Sequence, residues 1–392
     1  MAQLQVLFPI FIASDDFLKR AYISVINDLA SDQRVHRVAL LLQQEGFEVH
    51  CIGRRLPGSP DVKIAPGIKL RRYRMLFRRG PLFYACFNLR LFCSLMSCRK
   101  PFLFVANDLD TLLATSLAAG IRGTALVYDS HELFTRVPEL LERPLQRNIW
   151  SRLEACLLPR VKTAITVSSS IATLYRKRYG VPFAVVRNLP LQRVPKPDRS
   201  IREGYAARYL LIYQGALNVG RGIELMIDMM PFLDDAMLLL AGVGDIEKAL
   251  RKRVTEKGLS GRVVFLGRLE PEELHRYTSS ADLGFSLEED RGLSYRYALP
   301  NKLFDYIQAG IPVLCSALPE MKAVVEGYKV GRTTTERSPL ALAGMVSEML
   351  TMADEGRWKE ALEKAARELC WERESHYYLA LLREAGLLKR EK

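Results

Sequence analysis

Cysteine is scarce in this chain and shows no paired pattern. Cys51, Cys86, Cys93, Cys98, Cys156, Cys315 and Cys370 are odd in number among 392 residues and include no C-x2-C spacing. That excludes a disulfide framework and a zinc site, and it fits a reducing cytosol. No basic segment precedes the apolar run in MAQLQVLFPIFIAS, so residues 5–10 read as a first strand rather than as part of a secretory signal. The apolar stretch from Leu82 to Met96 is too short for a membrane span and carries Asn88 and Arg90 at its middle, which predicts a largely buried domain helix. There is no internal repeat, no low-complexity tract, and no helix-turn-helix, RNP or zinc-finger pattern, so nucleic acid is not an expected partner. Ser168, Ser169 and Ser170 lack a surrounding G-x-S-x-G elbow and read as a strand end capping a helix.

What is present is enough for two domains with full cores: 392 residues, 49% of them hydrophobic. The net charge of +13 is unevenly placed. Residues 1–190 hold 27 lysines and arginines against 14 acidic residues, and residues 191–392 hold 30 against 30, so the whole excess lies in the first half. Much of it comes from Arg71, Arg72, Arg74, Arg78 and Arg79, interleaved with Tyr73, Met75, Leu76 and Phe77. Basic residues among apolar ones suit an anionic membrane surface, with a merely solvated basic loop as the competing account.

Short apolar strands alternate with helical patterns throughout. Candidates are residues 5–10, 47–53, 102–107, 125–130, 164–169 and 183–188, and, after a proline-rich linker at LPLQRVPKPDRS, 209–215, 237–244, 263–267, 282–287 and 311–316. Such alternation predicts parallel βαβ units, and the order predicts an α/β chain of two doubly wound, Rossmann-like halves whose strand ends face a cleft. The expected division is 1–190 and 200–371, with a helical tail of about 372–392.

Residues 299–316, LPNKLFDYIQAGIPVLCS, carry the sharpest signal. Leu303, Phe304 and Ile307 form an apolar stripe at helical spacing, while Lys302 and Asp305 share a neighbouring face. Pro300 and Asn301 suit a helix start, Gly310 suits its C-terminal cap, and the run after it reads as a buried strand. A cation and a carboxylate there can hold an ionic ligand, or they are an ordinary solvated helix pair. The stretch resembles the nucleotide-sugar signature of GT-B glycosyltransferases of the GT4 group, whose helix reads roughly P-N-K-L-F-E-Y-x-x-A-G. The resemblance implies that Asp305 grips the donor ribose and that Lys302 lies near the donor diphosphate. Asp305 is one methylene shorter than the usual Glu, and the upstream Glu of the E-x7-E pattern falls at Tyr297. Its role passes to Glu288, Glu289 or Asp290.

The same resemblance extends from about residue 30 to 375. YQGALNVGRGIEL (213–225) is similar to the family's first C-domain turn, which implies that Gly215 and Arg221 meet the diphosphate, with helix N-terminal amides after Gly220 adding hydrogen bonds. The first basic position of that turn is Ala216 here. AGVGD (241–245) is implied to place Gly242 and Gly244 beside the donor, with Arg268 and Leu269 lining the base; a lone G-x-G is weak by itself. VYDSHELF (127–134) resembles the D-x-H-E segment, implying that His131 faces the transferred sugar while Asp129 and Glu132 order the loop or bind acceptor. SDQRVHRVALLLQQEGFEV (31–49) resembles the first helix and second strand, although FIASDD stands where the usual Gly-Gly loop would follow strand one. Asp108 and Asp110 in NDLD offer the alternative of a metal-dependent GT-A enzyme.

The resemblance therefore implies a retaining, metal-independent hexosyltransferase of cytoplasmic location, peripheral at the inner face of a membrane. It needs no cofactor beyond a nucleotide diphosphate sugar as donor substrate. Its acceptor is a carbohydrate or lipid-linked glycan of polysaccharide biosynthesis. A GT-B-type nucleotide-sugar epimerase and a non-catalytic nucleotide-sugar-binding protein are the rivals.

Overall fold

The structure is a computed structural model that describes residues 19–137, 140 and 143–389. The stretches QVLFPI and FIASDD lie outside the described residues. Two compact units emerge. One comprises the described residues up to Asp129, with Cys156–Ala164 and those from Leu382 on; the other comprises Ser130–Ala155 and Ile165–Leu381.

The strands β1 (Arg20–Asp28), β2 (Glu48–Arg54), β3 (Lys69–Tyr73), β4 (Pro101–Asn107), β5 (Ala125–Ser130), β6 (Thr163–Thr166) and β7 (Ala184–Val185) form a sheet of order β3-β2-β1-β4-β5-β6-β7. The strands β8 (Tyr209–Gln214), β9 (Ala236–Ala241), β10 (Val263–Gly267), β11 (Leu283–Ser286), β12 (Val313–Ser316) and β13 (Gly331–Thr334) form a second, of order β10-β9-β8-β11-β12-β13. Strand pairs in both run parallel. In the second sheet the order reverses between β8 and β11. Ligands of doubly wound sheets bind at such a switch point, outside the carboxyl ends of the strands.

The strands β8, β9, β11 and β12 are buried along nearly their whole length, as parallel strands covered on both faces must be. Three strands escape the sequence reading. β1 was masked by the apolar run ahead of it, although Tyr22, Ile23, Val25 and Ile26 carry its signal. β3 (KLRRY) and β13 (GRTT) are edge strands, which need less apolar character.

The stretch from Leu82 falls in a helix, Pro81–Ser97, but only one face of it is buried. Phe83, Phe87, Leu91 and Leu95, four apart, pack with Tyr22, Tyr73 and Phe104, while Leu82 and Leu89 stay exposed. Its two polar residues have partners. Asn88 Nδ2 donates to Tyr84 O and Asp110 O, and the Arg90 guanidinium lies 4.4 Å from the Tyr73 ring centroid. Among the described residues no helix is long and apolar enough to cross a membrane. All seven cysteines are free thiols.

Candidate donor site

A group of side chains meets at the β8/β11 switch point, entirely within the second unit. β8 ends in Gln214, and the chain turns at Gly215 with φ +134, a conformation that favours glycine. Gly242, after β9, lies against that turn so closely that a Cβ would collide with Gly215 O. The backbones of the two glycine turns therefore touch, leaving the space above them to a ligand or to long side chains.

The helix Asn301–Gln308 starts at Pro300, whose extended backbone sets the entry, and ends before Gly310 at φ +75. Tyr306 fixes its height above the sheet. The ring sits where a Cβ on Gly284 would be, and its hydroxyl donates to Phe285 O (3.0 Å) and accepts from Gln214 N (3.1 Å). One turn earlier this places Lys302, 9% exposed, with Nζ 2.9 Å from Glu288 Oε1 and 4.0 Å from the Tyr213 ring centroid. Glu288 lies just beyond β11 and is fully buried. Ser286 Oγ donates to its other oxygen at 2.7 Å, and Arg221 Nη1 stands 3.8 Å from Oε1. Burial pushes the Glu288 carboxyl up, but Lys302, Ser286 and Arg221 together hold it below the ordinary carboxylate range.

Arg221 is the more open cation. Its side chain is 29% exposed, its guanidinium lies 4.9 Å from the Tyr295 ring centroid, and its Nε–H is buried without a hydrogen-bond partner among the described residues. Arg337 braces the wall from behind, donating to Leu287 O, Glu288 O and Ser316 Oγ. Asp305 does not pair with Lys302. It accepts from Gln214 Nε2 at 2.8 Å, and Thr278 in turn donates to Gln214 Oε1. Lys302 is thus no solvated helix cation. Two cations, one shared buried carboxylate and a separately braced Asp305 surround a pair of glycine turns, an arrangement fit to receive a polyanion on one side and hydroxyl groups on the other.

Comparison with known proteins bears on the family and the fold. The model of "Glycosyl transferases group 1" matches residues 208–352, the half that holds the switch point, and that of "Glycosyltransferase Family 4" matches residues 32–190. The chain belongs to the group 1, or GT4, glycosyltransferases. Among relatives of this family, sulfoquinovosyl transferase SQD2 of Arabidopsis thaliana is 24% identical over 168 residues, 43% of this chain and 31% of that protein. The chain spans about a third of the length of the curated relatives it matches. Sucrose-phosphate synthase from Thermosynechococcus elongatus superposes with TM-score 0.77 at 18% identity, over 94% of this chain and 99% of that one. The Anabaena protein HepE in complex with UDP-glucose superposes with TM-score 0.68 at 15% identity, over 94% and 100%. The fold is GT-B.

Against the group 1 pattern, the structure brings Gly215, Gly242, Arg221, Lys302 and Asp305 into one neighbourhood. Gly244 is tight for a local reason: a Cβ there would strike Leu217 O. Arg268 is exposed and Leu269 partly buried, in the turn after β10. The helix after Gly220 begins at Ile223 and is seven residues long. His131 is half-buried, between β5 and the short turn Phe134–Arg136. Asp129 is held by Arg34 through two hydrogen bonds of 2.9 and 2.8 Å, with both side chains buried. Of the three acidic residues proposed to replace the missing Glu, Glu288 reaches the cations, whereas Glu289 pairs with Arg291 and Asp290 with Arg296. Sequence reasoning passed over Gln214, Ser286 and Arg337. Gln214 lies inside a quoted motif and was detectable as a polar residue closing an apolar strand.

Proposed function

We propose that this protein is a retaining glycosyltransferase that moves a hexose from a nucleotide diphosphate donor to a carbohydrate or lipid-linked acceptor. The observation that carries the reading is the Lys302–Glu288–Arg221 cluster around the buried Glu288 carboxylate at the β8/β11 switch point, with Asp305 braced by Gln214 beside it. Departure of the nucleotide develops negative charge on the leaving phosphate. Arg221 and Lys302, already held in place by Glu288, take up that charge with little reorganisation. Asp305 accepts from the ribose hydroxyls. Retention follows from the family resemblance: the acceptor attacks on the face the leaving group vacates, and the leaving phosphate helps remove the acceptor proton. No protein nucleophile is required. His131 contacts the transferred sugar.

UDP is the first donor nucleotide to test, because HepE was captured with UDP-glucose. A thermal-shift screen of UDP, GDP and their sugars is direct, since a ligand at 100 times its Kd stabilises by about 2.7 kcal/mol. No shift with any nucleotide, or a shift unchanged in both Asp305→Ala and Lys302→Met, defeats the reading. Transfer is expected to survive EDTA; loss restored by manganese would bring Asp108 and Asp110 back as metal ligands. Tyr297 and Ala216, in place of a carboxylate and a cation, favour one second reading, a non-catalytic nucleotide-sugar-binding protein. It would bind UDP-sugar yet release no UDP with any acceptor.

The acceptor side includes an anionic membrane surface at the inner face. Arg74, Arg78 and Arg79 are exposed beside Leu76, 89% exposed, and Phe77. Arg72 is not available to it, being turned inward onto Asp28 at 2.7 Å. Flotation with liposomes tests this: binding needs anionic lipid and falls with salt, and equal binding to neutral vesicles ends the idea.

A further inference from the structure

The first unit contains a concave site that the donor chemistry does not use. At the carboxyl ends of β2 and β3, a cavity of about 470 Å³ is lined by Arg54, Arg55, Arg74 and Arg78, with Leu56 and Met75 between them. Among the described residues no carboxylate lines it. Four guanidinium groups around one hollow repel each other, and the local acids do little to relieve them. Asp61 reaches Arg55 at 3.1 Å but is 93% exposed, where such a pair is weak. Asp28 is taken up by Arg72 and by the Leu56 amide. Arg54 lies over the Phe83 ring at 5.0 Å, and its Nε–H is buried with no hydrogen-bond partner among the described residues. Arg74 and Arg78 are exposed and, among the described residues, form no ion pair there. Guanidinium forks match phosphate oxygens in shape and charge, and an anion of two or more charges would relieve all four at once. The rim is apolar at Leu56, 40% exposed, and at Met75; the exposed Leu76 (89%) and Phe77 (39%) are the next residues along the chain.

We infer that this pocket binds the phosphate or diphosphate group of an ester whose chain is apolar, and that this ester is the acceptor. The assignment to the acceptor rests on the transferase reading; binding itself does not. Calorimetric titration of the full chain with inorganic pyrophosphate and with geranyl diphosphate tests it. Both probes bind, the ester at least tenfold tighter because its chain covers the apolar rim. Arg54→Gln and Arg74→Gln each weaken both probes about tenfold. Arg74 is exposed, so its variant folds whatever becomes of Arg54. Lys63→Gln, an exposed charge outside the cavity, changes either probe less than twofold. The inference is overturned if neither probe binds, if both bind equally, if Lys63→Gln is as damaging as Arg74→Gln, or if Arg221→Gln abolishes binding while the pocket variants retain it. A parallel UDP titration separates the two ideas: failure of UDP to bind sinks the donor reading and leaves a positive pocket result standing.

Discussion

Replacing Lys302 by Met removes the ammonium that Glu288 holds at 2.9 Å while keeping most of the side-chain volume. Glu288 is then a carboxylate with no exposed surface, left with Ser286 Oγ at 2.7 Å and Arg221 at 3.8 Å. Removing one member of a buried pair typically costs about 3–5 kcal/mol, and the two surviving partners place this case near ~3 kcal/mol. Glu288→Gln in the same background removes the stranded charge and can keep the Ser286 contact. The double variant should therefore regain ~2 kcal/mol over Lys302→Met. UDP binding should not return, because the cation that meets the diphosphate is still missing. The pH dependence has a definite sign. In the native protein Glu288 is held below its unfolded range, so its contribution is present above that range and fades as pH falls through it. Without Lys302, burial dominates and lifts the carboxyl above its unfolded value, so the deficit of Lys302→Met is largest at neutral pH and shrinks as acid protonates Glu288. Urea unfolding at pH 7.5 and pH 4, with Cm and m compared across native, single and double variants, reads all of this. A double variant no more stable than Lys302→Met, or a deficit equal at the two pH values, refutes the claim that a shared buried carboxylate organises the site.

Asp305→Ala should weaken UDP binding by about tenfold or more, the loss of a charged hydrogen bond, and leave unfolding within ~1 kcal/mol; calorimetry and urea melts separate the two. Gly242→Ala should destabilise the second unit by more than ~2 kcal/mol, since φ is +143 and the new Cβ meets Gly215 O; a native-like melt would remove the close approach of the two turns. Asp28 is pushed up by burial, but the Ala30 and Leu56 amides, Ser59 and Arg72 outweigh that and hold it at about 2. Asp28→Asn should therefore cost roughly 2 kcal/mol at pH 7, a difference present above about pH 4 and lost as pH falls toward 2; a difference constant with pH contradicts it.

Much of this could be read from the chain because fully covered parallel strands announce themselves as apolar runs. Those of the second unit lie within about three residues of expectation, apart from the edge strand β13. Lys302 and Asp305 were legible because three residues on one helix keep their spacing whatever the tertiary fold. Glu288 was not legible as more than one of three acids. What distinguishes it from Glu289 and Asp290 is that β11 delivers it beneath a helix whose Lys302 is 14 residues further on, and its neighbours point elsewhere.

The arginine cluster gives the sharpest case of what sequence withholds. Read along the chain, Arg71 to Arg79 is one basic run. In the pleat of β3, successive side chains face opposite sides, so Arg71 and Arg72 part company: Arg71 stays exposed and lines a different hollow, while Arg72 turns to Asp28. Arg74 and Arg78, past the strand end, instead join Arg54 and Arg55, brought beside them because Arg54 pairs with Tyr73 across β2 and β3. Charge density along the chain overstated the exposed surface by one arginine and missed the pocket by two. Both errors have one cause: strand pairing, not proximity in sequence, decides which guanidinium groups can reach the same phosphate.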